Sequence, residues 1–122
     1  LKKVEDLLLE ILSQYGYPVM LQGSLTQGED YPEHFFTYWE NPGNEIGFYD
    51  NSPHGEVYDY DVNFYSTDVA LAYKMPVAVK EQLVNNGFIV PGSSCSVGSD
   101  EVTHTGRGIH VIYQKRNQTG GK

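Results

Sequence analysis

The chain has 122 residues, a formal charge of −8 and one cysteine. That length fits a single domain with one core, and Cys95 standing alone excludes an intrachain disulfide, which suits a reducing compartment. Sixteen acidic against eight basic residues weigh against a protein that grips nucleic acid by neutralising phosphates.

Val4, Leu7, Leu8, Ile11, Leu12 and Tyr15 recur at helical spacing and predict a first helix with one apolar stripe. Leu9 lies off that stripe. Gly16 stands where a left-handed cap would end the helix, and Pro18 bars its continuation. Glu5, Asp6 and Glu10 interrupt the apolar run, so it reads as neither a signal peptide nor a membrane-surface helix. No stretch is long and apolar enough to span a bilayer. The expectation is a soluble protein made in a cytoplasm.

Residues 18–22, PVMLQ, predict a short strand, and the polar, Gly-rich residues 23–33 predict a long loop. Three strands are then expected as an antiparallel meander: 34–40, 45–50 and 57–66, with Asn41-Pro42-Gly43-Asn44 as a turn and 51–56 as a loop. In the last of these, Tyr58, Tyr60, Val62 and Phe64 share one face, while Val57, Asp59, Asp61 and Asn63 share the other. One face is buried and one is wet.

Thr67 and Asp68 offer N-caps to a second helix with a stripe of Ala72, Met75, Val79 and Leu83, ended by Gly87. Pro76 interrupts the pattern and is expected to kink or split the helix. Strand-like pieces follow at 88–90, 95–101 and 108–116, and 117–122 reads as a disordered tail. Residues 1–116 thus form one α+β domain, with two helices packed on one face of a mostly antiparallel sheet.

Chemistry is sparse. His34, His54, His104 and His110 show no helical pairing and no CxxC accompanies them. His104 and His110 would meet near Asp100 only if 102–112 formed a hairpin, so the histidines are assigned to turns and surface hydrogen bonds. Asp59 and Asp61 place carboxylates about 6–7 Å apart along a strand, a spacing that can serve acid–base work or a cation. The wet side of an amphipathic strand explains them as well. Gly106-Arg107-Gly108 is too short for a phosphate loop, and Arg107 is expected to pin a turn or pair with Asp100. Ser93, Ser94 and Cys95 cluster, but nothing places His104 beside them as a base. No catalytic residue, metal site or cofactor is assigned.

Ten tyrosines and five phenylalanines turn attention to protein contacts instead. GYPVMLQGSL (16–25), YPEHFFTYWENP (31–42), VYDYDVNFYSTD (57–68), NNGFIVPGSS (85–94) and DEVTHTGRG (100–108) together resemble the tail-terminator and tail-completion proteins of long-tailed bacteriophages (siphophages). The likeness spans residues 3–114 in element order and texture. It implies an α+β virion protein, a ring of typically six subunits at the head–tail junction, contacts with tail-tube and neck proteins, and DNA only as passing cargo. It carries no catalytic residues. Candidate assembly contacts are Leu25, Tyr31, Phe36, Tyr38, Tyr49 and Tyr58, and candidate lumen-facing acids are Glu29, Asp30, Asp59 and Asp61. Six copies at −8 each would carry about −48, and a lumen lined by acids would let DNA slide without sticking. The alternatives are an acidic DNA mimic and a small-ligand-binding regulatory domain.

Overall fold

The computed structural model describes residues 3–23, 31–41, 56–99 and 101–115. Its elements are α1 (Val4–Leu12), a 3-10 turn (Ser13–Tyr15), β1 (Val19–Leu21), β2 (His34–Asn41), β3 (Glu56–Ser66), α2 (Val69–Asn85), β4 (Cys95–Val97) and β5 (Thr105–Lys115). The strands form one sheet in the order β1-β2-β3-β5-β4. β1 runs parallel to β2, and every other pairing is antiparallel. Both helices bury their stripes on one face of this sheet, giving a two-layer α+β sandwich.

Alternation decides which residues enter the core. Tyr60, Val62 and Phe64 of β3 point to the helices, as their spacing predicts. Register then carries Phe36 and Tyr38 of β2, and Ile109 and Val111 of β5, to the same side. Against them pack Val4, Leu8, Ile11 and Leu12 from α1 and Met75, Val79 and Leu83 from α2, whose Ala72 is buried as well. Each fully buried large side chain contributes about 1.5–3 kcal/mol relative to exposure. Leu9, off the α1 stripe, packs at the margin of this core.

The punctuation works as its chemistry requires. Gly16 adopts φ 82° after the 3-10 turn. Asp68 caps α2, its Oδ1 accepting from the Leu71 amide at 3.3 Å. At the other end Phe88 N donates to Leu83 O at 2.9 Å and Gly87 N to Val84 O at 3.1 Å, with Gly87 at φ 94°. That double closure satisfies carbonyls the helix leaves open.

Three expectations are corrected. β2 pairs directly with β3 along its whole length, Asn41 meeting Asp59, so 45–50 cannot be the middle strand of a meander. Residues 45–50 themselves, like the 117–122 tail and most of the 23–33 loop, lie outside the described residues. α2 is not split: it runs unbroken through Pro76. A proline inside a helix costs about 3 kcal/mol, which is offset here because the buried stripe continues on both sides of a ring that is itself buried. Gly106-Arg107-Gly108 is strand, not turn. A Cβ at Gly106 would lie 2.7 Å from the Tyr65 ring and 2.8 Å from Val97, and one at Gly108 would collide with Asn63 Oδ1. The glycines serve close packing from above the sheet.

Candidate functional site

The second face of the sheet carries no described helix. β2 turns Phe35, Thr37, Trp39 and Asn41 to it, and β3 turns Asp59, Asp61, Asn63 and Tyr65. The two ends of this face differ in character.

At one end Phe35 is only 2% exposed, although no described helix covers it. Aromatic neighbours do: Tyr65 stacks on it at 5.1 Å between centroids, and Tyr31 and His104 meet it edge-on at 5.7 and 5.8 Å. His104 is fixed by its partners. Its Nε2 donates to the Pro32 carbonyl at 2.8 Å, which leaves Nδ1 to accept from the Thr103 hydroxyl at 3.1 Å. Beside this cluster lies a cavity of about 290 Å³, lined by Met20, Tyr31, Phe35, Thr37, Tyr65 and Ser99 among others. Thr37 Oγ1 is buried there and has no hydrogen-bond partner among the described residues.

At the other end the face is polar. Asn41 Nδ2 donates to Asp59 Oδ1 at 3.0 Å and to Asp61 Oδ2 at 3.3 Å, and His110 Nε2 lies 2.6 Å from Asp59 Oδ1. The carboxylates do share the wet side of β3, and Asn41 bridges them. Trp39, directly opposite Asp61, is 47% exposed.

A second surface that no described element covers lies on the helix side of the sheet. Val69, Tyr73, Val77 and Val84 run along the outer side of α2, with Val77 69% exposed. Two cations sit among them. The Arg107 guanidinium lies 4.5 Å from the Tyr73 ring centroid, while its nitrogens donate to Ser94 Oγ, the Ser94 carbonyl and Ser96 Oγ. Lys80 Nζ donates to the Gly92 carbonyl at 2.6 Å.

Several site expectations change. Phe36 and Tyr38, taken as assembly contacts, are core: Phe36 is buried against Phe64 at 4.8 Å, out of reach of any partner. The Tyr38 hydroxyl is tied to Glu5 Oε2 at 2.8 Å, and burial, with Glu5 second, pushes its pKa up to about 12. Tyr58 is partly buried on the same side and donates to Glu56 Oε1 at 2.6 Å. That bond and burial raise its pKa to about 12 as well. Burial, then Glu5, also raises the Glu40 carboxyl. Tyr31 keeps a place on the uncovered face. Leu25, Tyr49, Glu29 and Asp30 lie outside the described residues, as do His54 and Asp100.

His104 and His110 do not form a hairpin pair. Six residues of mostly extended chain separate them by about 20 Å. His34 Nδ1 meets Ser66 Oγ at 2.8 Å with Glu33 3.8 Å from Nε2, an arrangement with the look of a triad. Ser66 is 0% exposed, however, and its Oγ accepts from the Asp68 amide at 2.9 Å. It ties β2 to the start of α2 and cannot reach a substrate. Among the described residues no three His, Cys, Asp or Glu side chains are placed to hold a metal. Nor is any described helix long and apolar enough to cross a membrane.

Reading by sequence missed the exposed Trp39, the buried Thr37 and the stacked Tyr65 on this face, and the α2 row entirely. The row was detectable in principle: Val69, Tyr73 and Val77 recur every four residues on the flank of the core stripe. No family model matches this chain, and no curated protein matches it.

Proposed function

We propose that this protein is a structural assembly subunit that joins copies of itself head to tail. Two unlike exposed surfaces on different layers of one subunit support this: the Trp39 end of the sheet, one large ring set among polar side chains, and the apolar outer row of α2. An interface between unlike patches leaves one of each unused on every dimer, so association continues until a ring closes. The assembly that suits a small acidic α+β subunit of this element order is the terminating ring at the head–tail junction of a long-tailed bacteriophage. In that role six copies would contact tail-tube and neck proteins, and DNA would pass through without being gripped. The protein would be made in the bacterial cytoplasm and reside in the virion.

The test is size-exclusion chromatography with light scattering, followed by negative-stain microscopy of the peak. A species near six chain masses that images as a ring is the expected result. A chain that stays monomeric across the accessible concentration range overturns it.

The cavity beside Phe35 favours a second reading, a small-ligand-binding regulatory domain. Its volume of about 290 Å³ sits at the lower edge of ordinary ligand sites. A DNA mimic would need a row of free carboxylates. On the uncovered face the described residues offer Asp59 and Asp61, both already accepting from Asn41.

A further inference from the structure

We infer that Trp39 and the acids beside it dock on the outer row of α2 in a second copy of this chain. The inference rests on the self-assembly reading and names the surfaces that meet. No described element of the subunit covers either one: the α2 row is an apolar strip, the Trp39 patch is one large ring among polar side chains, and their charges are complementary. The α2 row carries Arg107 over Tyr73 and Lys80 one turn beyond Val77. The uncovered sheet face carries Asp59 and Asp61, and among its described residues there is no Lys or Arg. In a chain with half as many bases as acids, placing two of the bases within one apolar row marks that row as the acceptor of an acidic surface.

The details fit an anchor and its seat. An exposed tryptophan at the centre of a patch is the residue type that most often dominates an interface. Tyr73 with a guanidinium already laid over it offers a flat cationic platform for an indole. Arg107 is held there by Ser94 and Ser96, so it is ordered before a partner arrives. Asp61, exposed and opposite Trp39 in register, then faces the neighbour's cations. Charge pairs of this kind fix register and speed encounter more than they add affinity. One consequence is specific: Asp59 and Asp61 face the adjacent subunit, not the channel.

The experiment uses the full chain with Trp39→Glu and Val77→Glu, each studied alone and then mixed in equal amounts, with mass read by light scattering. Each variant alone is expected to lose assembly, with association weakened about 30-fold or more. The mixture is expected to form dimers and nothing larger, because only one intact Trp39 face and one intact α2 row remain per pair. Circular dichroism confirms folding, and Trp39→Ala with Val77→Thr carry the same expectation should a charge unfold the chain. Assembly that survives either substitution overturns these surfaces and leaves the self-assembly reading standing. A wild-type chain that never associates overturns both.

Discussion

The two faces of the sheet are built from the same strands, yet they have different physical tasks. Toward the helices, β2, β3 and β5 present Phe36, Tyr60, Val62, Phe64, Ile109 and Val111, all buried in one cluster. On the other side the same strands present an aromatic corner, an exposed tryptophan and a carboxylate pair. The first face is what makes the chain fold. The second has order without cover: rings stack on rings, glycines admit them, and Asn41 and His110 hold Asp59 in place. A surface kept this ordered with no described helix over it is suited to meet a partner.

Substitutions on the two faces should separate these tasks. The largest effect is expected from Phe64→Ala on the helix side, about 3–5 kcal/mol of stability, read by denaturant unfolding. A loss under 1 kcal/mol would mean the core does not depend on that ring. On the other face Gly106→Ala forces a Cβ against Tyr65 and Val97, and should cost about 1–3 kcal/mol while loosening the aromatic corner in near-UV dichroism. Retention of both signals would show that the corner yields freely.

Alkali should act on the helix side. The folded-state pKa of Tyr38 is raised to about 12 from an ordinary value near 10. Its stabilising contribution is therefore complete below the unfolded pKa and is lost as pH rises through the folded one. Unfolding followed from pH 9 to 12 should show falling stability, and Tyr38→Phe should remove about 1–2 kcal/mol of that fall. An unchanged slope would discount the Glu5 bond and the burial together. The smallest effect has the opposite sign. Thr37→Val removes a buried hydroxyl that has no partner among the described residues, so stability should hold or rise by up to about 1 kcal/mol. A clear loss would reveal a partner for that hydroxyl.

The α1 stripe, the β3 alternation and the caps at Gly16, Asp68 and Gly87 were legible in the sequence because each is local chemistry. Pairing was not. Residues 45–50 have the same texture as a middle strand, and only tertiary register reveals that β2 lies beside β3. Gly106 and Gly108 resembled turn residues for a similar reason, since what they accommodate arrives from Tyr65, Val97 and Asn63. Of the candidate site, the Asp59–Asp61 pair was visible from spacing alone. Asn41 and His110 join it through neighbouring strands, and aromatic composition could not tell the buried Phe36 from the exposed Trp39 three positions along.

The division of labour between the faces is tested most directly with Trp39→Glu, measuring thermal unfolding and molar mass on the same sample. The expected result is an unfolding midpoint within a few degrees of wild type together with loss of the assembled species. Full assembly retained, or a loss of stability as large as that of Phe64→Ala, would contradict it.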